Sequence, residues 1–298
     1  PKTKKKYYHI IMKKIFIVGS INTDLVIKAP YMPQSGETLT GGGFFTAHGG
    51  KGANQAVAAA RLGGNVVMCG CVGDDGFGKE AIASLQESGV DTTHIRVVNG
   101  VATGTAVIVV VNGDNRIILD KGANACLTEK DIDHVLATAN AGDIYLTQLE
   151  NPIEIIGYGL KKAKEKGMFV VLNPAPANKE IAPYLEYCDL VTPNETETEL
   201  LGGREEILKK VGTLLVTLGG KGFEIRTKEG GTVYPCMKIK PVDTTAAGDT
   251  LCGGLTAYLA EGKSLEESAK FGSKAASIAC TRQGAQPSIP TREETLNY

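Results

Sequence analysis

Short runs rich in Val and Ile alternate along this chain with stretches whose apolar residues recur at helical spacing, and that alternation restricts the fold more than any other feature. KIFIVGS (14–20), NVVMCG (65–70), DIYLT (143–147), MFVVLNP (168–174), DLVTP (189–193) and TLLVTLG (213–219) read as buried strands. Between them, GANQAVAAARLG (52–63), GKEAIASLQESG (78–89), TEKDIDHVLATAN (128–140) and PIEIIGYGLKKAKEKG (152–167) suit amphipathic helices. Strands that alternate with helices in this way imply an α/β fold of the Rossmann-like kind. Its central sheet is mostly parallel and flanked by helices, and ligands collect at the carboxyl ends of the strands.

Two regions break the alternation. Residues 21–50 hold strand-like pieces and turns without a helix, and GVATGTAVIVVVNGDNRIILDKGAN (100–124) looks like a hairpin turning at NGDN. These are expected to pair into a small β-sheet lid over 22–50 and 100–122. Extra edge strands on the main sheet are the alternative. The main domain would then comprise 13–21, 51–99 and 123–298. The opening PKTKKKYYHII is basic, leads into Met12 and lacks the long apolar core of a signal peptide, so residues 1–12 are expected to be a tail outside the fold.

Bulk properties exclude several classes. The 32 basic residues nearly balance 33 acidic ones, so no global field favours nucleic acid or an anionic membrane. The most apolar stretch, GTAVIVVV (104–111), is far below the roughly 20 residues a membrane span needs. Seven scattered cysteines with no C-x-x-C suit reduced thiols in a cytoplasmic enzyme, and the four histidines show no metal-ligand spacing.

Neither a P-loop nor a G-x-G-x-x-G after the first strand is present, which leaves a nicotinamide dehydrogenase without its phosphate turn. Polar clusters sit instead where strands should end. GSINTD (19–24) places Asn22 and Asp24 two apart, on one side of an extended segment. AHGGKGANQ (47–55) opens a helix with Gly50, Lys51 and Asn54, whose amides and carboxamide suit sugar hydroxyls; a glycine-rich helix entry is the plainer reading. TQLENP (147–152) ends a strand with Glu150 at the ligand edge; a loop residue before a Pro-initiated helix is the plainer reading. In TPNETETELLG, Asn194 and Glu197 share a helix face and suit a hydrated Mg²⁺, or simply a helix start that complements its dipole. TLGGKG (217–222) joins two strands and suits a nucleotide or a plain turn.

The stretch DTTAAGDTLCGGL (243–255) carries the chemistry. A helix N-terminus offers unpaired N–H groups, and small Ala246, Ala247 and Gly248 let an anion approach them closely. Asp249, a helix cap when read alone, stands within reach of a hydroxyl held beside that anion and suits a general base.

Together these stretches resemble the ribokinase/PfkB family of sugar kinases, from about Lys14 to Thr291. GGKGANQAVAAARLG is similar to the family's first signature and DTTAAGDTLCGGL to its second; GSINTD, TQLE, NPAPA, TPNETE and TRQGAQPS add to the likeness. The resemblance implies a ribokinase-like fold and ATP-dependent phosphorylation of D-ribose at its 5-hydroxyl, with Mg²⁺ and a monovalent cation such as K⁺. It implies ribose contacts from Asn22, Asp24, Gly50, Lys51, Asn54 and Glu150, Asp249 as base, and an anion hole from Ala246, Ala247 and Gly248. ATP would meet Asn194, Thr217, Gly219, Gly222, Gly248 and Ser273, with Glu197 organising Mg²⁺ through water. The cation would take oxygens from Asp243, Thr245, Ala279, Arg282, Gly284 and Ser288. A homodimer through the lid is implied as well. The chain departs from the pattern at GGREEILKKVGT (202–213), shorter than the helix-containing stretch the resemblance implies, and at Thr245, where an aliphatic residue is common. Another family sugar kinase, for deoxyribose or fructose, and a non-catalytic sugar-binding protein are the rival readings.

Overall fold

The structure is a computed structural model and describes residues 12–298; all of the expected tail except Met12 lies outside them. The chain opens with β1 (Lys14–Val18), β2 (Asn22–Ala29), β3 (Gly42–Gly49) and α1 (Lys51–Arg61). Next come β4 (Asn65–Gly73), α2 (Gly76–Glu87), β5 (Asp91–Val98), β6 (Gly104–Val111), β7 (Asp114–Asp120) and α3 (Glu129–Leu136). β8 (Ile144–Thr147), α4 (Ile153–Glu165), β9 (Phe169–Leu172), β10 (Leu190–Val191), α5 (Glu195–Leu200) and α6 (Arg204–Leu208) follow. The chain closes through β11 (Thr213–Thr217), β12 (Phe223–Thr227), β13 (Gly230–Tyr234), α7 (Ala247–Ala260), α8 (Leu265–Ala279) and α9 (Arg292–Asn297).

Nine strands form the central sheet in the order β13-β12-β11-β10-β9-β8-β1-β4-β5. Every pairing from β11 to β5 is parallel, and β12 and β13 close one edge antiparallel. Strands β1, β4, β8, β9, β10 and β11 are apolar on both faces because helices cover both. Alternation within β1 shows it directly: Ile15 and Ile17 join one buried cluster with α1 and α7, while Phe16 and Val18 join the other with α3 and α4.

The alanine run of α1 sets how close α7 comes. A Cβ on Gly253 of α7 would lie 2.4 Å from the Ala58 Cβ, so only glycine admits this approach. That contact packs the middle of α7 against the later turns of α1. The short stretch after Leu201 holds only the single-turn α6, yet Ile207, Leu208 and Val211 are buried and seal that flank.

Four strands form a second sheet, β3-β2-β6-β7, separate from the first. This matches the expected separate sheet rather than edge strands on the main one. β6 and β7 turn at Asn112 and Gly113, both with positive φ (52° and 87°), the geometry that matches strand twist in a two-residue hairpin. Among the described residues no helix is long and apolar enough to cross a membrane, and all seven cysteines are free.

Candidate active site

The segments that follow β1, β8, β9, β10 and β11 gather at one edge of the central sheet, beneath the small sheet, as the parallel topology dictates. Three adjoining clefts run along this edge, of about 810, 210 and 550 Å³. Lys51, Ala246 and Asp249 line both the first and second. Thr217, Thr244, Ala247 and Gly248 line both the second and third.

The first cleft brings together Asn22, Asp24, Gly50, Lys51, Asn54, Glu150 and Asp249. Gly50 sits at φ 88°, and a Cβ there would lie 2.8 Å from the Asn22 N and the Ser20 O, so glycine is required where the chain turns into α1. Glu150 Oε2 accepts from Ser20 Oγ and from the Lys51 N–H (3.0 Å), tying the β1 loop to the helix start. Asn124 donates to the Asn22 side-chain oxygen (2.7 Å), which leaves the Asn22 NH₂ for a ligand. Burial, with the Glu150 charge nearby, pushes the Asp24 carboxyl up to about 6. Burial works against the Lys51 ammonium, but Asp249, Glu150 and Glu197 around it outweigh that and raise its pKa.

Asp249 lies in the first turn of α7, 5% exposed, on the wall between the first two clefts. Its Oδ2 accepts from Asn54 Nδ2 (3.0 Å) and its Oδ1 from Gln55 Nε2 (2.9 Å). It caps nothing: α7 has no side-chain cap. Burial raises its pKa, opposed by Lys51, Gln55 and Asn54. Ala246 holds a left-handed conformation (φ 59°, ψ 14°), strained for a residue with a Cβ, and this turn presents the helix start to the second cleft. Its companions differ from expectation in one respect: the Ala247 N–H donates to the Thr244 O (3.2 Å). Among the described residues the N–H groups of Ala246 and Gly248 have no partner, so those two are free for an anion.

Asn194 and Glu197 combine both readings made of them. They form a capping box on α5, with Asn194 Oδ1 on the Glu197 N–H (2.7 Å) and Glu197 Oε2 on the Asn194 N–H (2.8 Å), and they also line the second cleft. Burial raises the Glu197 pKa against the Asn194 N–H and Lys51. Thr217, Gly219, Gly222, Gly248 and the buried Ser273 line the third cleft.

Asp243 knits the loop before α7 to the loop after α8. Its Oδ1 accepts from the Thr245 N–H and hydroxyl (2.9 and 2.6 Å), its Oδ2 from the Gly284 N–H (2.9 Å). The Ala279 carbonyl accepts from the Arg282 N–H (3.0 Å), the Arg282 guanidinium pairs with Glu294, and the buried Ser288 hydroxyl donates to the Ala285 O (2.7 Å).

Sequence reasoning missed a second layer: Ser20, Gln55, Asn124, Asn173 and Gln286, all buried and hydrogen-bonded to site residues or to one another. The signal was available for Gln55, a large amide inside an alanine-rich helix face that had to be buried.

The described chain matches the model of the pfkB family of carbohydrate kinases over residues 12–292. It is 43% identical over 300 residues to a ribokinase of Haemophilus influenzae, covering 96% of this chain and 98% of that one. A ribokinase structure from Thermotoga maritima is similar with a TM-score of 0.87 at 39% identity, covering 96% of this chain and 98% of that one. A ribokinase of Arabidopsis thaliana complexed with ribose and ATP is similar with a TM-score of 0.84 at 31% identity, over 96% and 98%.

Proposed function

The chain belongs to the pfkB family of carbohydrate kinases, and on that premise we propose that it phosphorylates the 5-hydroxyl of D-ribose with ATP. One observation carries the reading: Asp249 and the free amides at the start of α7 stand where the first cleft meets the second. A sugar in the first cleft and a triphosphate reaching from the third through the second therefore meet at one wall.

Ribose is held by the Asn22 NH₂, Asp24, the Gly50–Lys51 turn, Asn54 and the unengaged Glu150 Oε1. Asp249 accepts the hydroxyl proton as the sugar oxygen bonds to the γ-phosphorus. The bond from that phosphorus to the β,γ-bridging oxygen breaks, and its electron pair leaves with ADP. The N–H groups of Ala246 and Gly248, with the helix start behind them, stabilise charge on the transferred group, and Lys51 adds a full positive charge between the clefts. Ala247 contributes backbone shape to this anion hole rather than a donor. ATP lies along Asn194, Thr217, Gly219, Gly222, Gly248 and Ser273.

Mg²⁺ fits the second cleft, because it takes few protein carboxylates, keeps its waters and binds through phosphates. Glu197 would hold it through water, its Oε1 not being used by the capping box. A monovalent cation such as K⁺ fits Asp243 with Thr245, Ala279, Arg282, Gly284 and Ser288 as an all-oxygen set, largely backbone carbonyls; bound there it would stiffen the loop that leads to Ala246. The four-stranded sheet acts as the lid, over 22–50 and 100–122, and pairs with a second copy through its exposed apolar residues, making a homodimer.

ADP release measured across a panel of pentoses and hexoses tests this reading. Ribose should give the highest kcat/KM; a clear preference for deoxyribose or fructose overturns the assignment of the sugar.

A further inference from the structure

Beneath Asp249 lies a chain of buried amides, Gln148, Gln55 and Asn173, of which only Asn173 lines a cleft, the second. Gln55, fully buried in α1, donates through Nε2 to Asp249 Oδ1 (2.9 Å) and to Asn173 Oδ1 (3.1 Å), and accepts at Oε1 from Gln148 Nε2 (2.6 Å). Asn173, just past β9, is locked in turn by donating to the Thr192 O (2.9 Å). We propose that Gln55 is a positioning residue for the reaction, an amide held end for end by Gln148 and Asn173 so that it keeps the Asp249 carboxylate ionised and aimed at the sugar hydroxyl.

The direction of the amide is fixed by chemistry. An ionised carboxylate only accepts, so the end of Gln55 facing Asp249 is the NH₂. Its carbonyl then faces Gln148, which can donate to it. Both N–H bonds of Gln55 are used, and the amide itself is fully buried, where a charge-assisted hydrogen bond is strong and the loss of a donor is poorly compensated. Asn54 holds the other carboxylate oxygen, with its own oxygen accepting from Gln286 Nε2 (3.2 Å). The two amides thus occupy one lone pair on each oxygen and leave the remaining pairs for a ligand.

Other charged and titratable groups also bear on Asp249. Lys51 on α1 favours its ionisation, while Glu150 after β8 and Glu197 on α5 oppose it; the neighbouring Cys252 thiol on α7 is pushed up to about 12 by burial and stays neutral. Gln55 acts with Lys51 against this opposition and against burial. Losing one hydrogen bond to a charged group corresponds to a rise of roughly one to two pH units in the carboxyl.

The inference rests on Asp249 as proton acceptor, and the experiment separates the two. In Gln55→Met, which keeps length and removes both N–H groups, the acid limb of kcat/KM against pH should move up by about one unit or more. The same variant should lose roughly tenfold in kcat at neutral pH, recover most of it in alkaline buffer, and keep the sugar KM within about threefold. Gln148→Met, which only releases the far end of the amide, should shift the limb in the same direction by less, and it decides the matter if Gln55→Met does not fold. An unmoved limb in a folded variant, with activity either intact or lowered equally at every pH, overturns the positioning role. Absence of sugar phosphorylation by the unaltered protein would instead overturn the function from which the role follows.

Discussion

The two sheets of this molecule are built from similar residues under opposite conditions. The nine-stranded sheet is covered by helices on both faces, and Ile15, Phe16, Ile17 and Val18 are all completely buried. The four-stranded sheet carries the same kind of side chain in the open: Phe45, Ile117 and Leu119 face the first cleft, and Phe44, Val107 and Ile118 face away from it. Ile118 is 73% exposed. In the proposed reaction this difference divides the labour: the nine-stranded sheet and its helices position Asp249, the amides beside it and the Lys51 ammonium. The open sheet brings Asn22 and Asp24 to the first cleft and carries an exposed apolar surface of the kind that the proposed lid and dimer would cover.

The largest effect expected from this division is on the chemistry held by the nine-stranded sheet. Asp249→Asn should lower kcat by about 10²–10⁴-fold while ribose binding by calorimetry stays measurable. Turnover within tenfold of the parent protein would remove Asp249 from the base role and place the reacting centre elsewhere.

A pair of truncations measures the contrast in packing. Leu146→Ala, in the interior strand β8, should cost about 2–5 kcal/mol in denaturant unfolding. Ile118→Ala should cost under about 0.5 kcal/mol at concentrations where the protein is monomeric, whereas Ile118→Asp should weaken self-association in sedimentation. A large loss from Ile118→Ala in the monomer would mean that the small sheet is packed as firmly as the main one.

The smallest effect concerns Asp24. Its carboxyl stands near 6 in the folded protein against an ordinary 3.8, so the native state binds the extra proton between those values and stability falls as pH rises through that window. Removing the charge should therefore stabilise. Asp24→Asn should match the parent near pH 4, gain progressively up to about pH 6 and hold a gain of roughly 1–3 kcal/mol above it, while sugar KM rises. An equal difference at every pH would show that Asp24 is not perturbed, and the open sheet would then lack the one charged group placed there at a cost to folding.

The parallel strands were legible in the sequence because burial on both faces writes continuous Val/Ile runs, and the NGDN hairpin because positive φ at two successive residues demands such chemistry. β5 and β13 were not read, and β12 only as the second of the strands that TLGGKG joins: TTHIRVV at one sheet edge and FEIRT beside the other carry mixed polarity, so no single period marks them. α8, rich in Ser and Ala, was passed over although its Ser264–Glu267 capping box marks its start. At the site, residues aimed into the clefts were visible as polar groups at strand ends. Their supports were not, because Gln55, Asn124 and Gln286 meet Asp249, Asn22 and Asn54 only after segments distant in the chain are brought together. The Ala247 amide was misjudged for the same reason, since its engagement by Thr244 depends on the left-handed turn at Ala246.

A crystal structure with ribose and a non-hydrolysable ATP analogue bound together tests the central assignment most directly. It should show the 5-hydroxyl within about 3 Å of an Asp249 oxygen and the terminal phosphate on the Ala246 and Gly248 amides. A different hydroxyl at Asp249, or a terminal phosphate away from the start of α7, would contradict it.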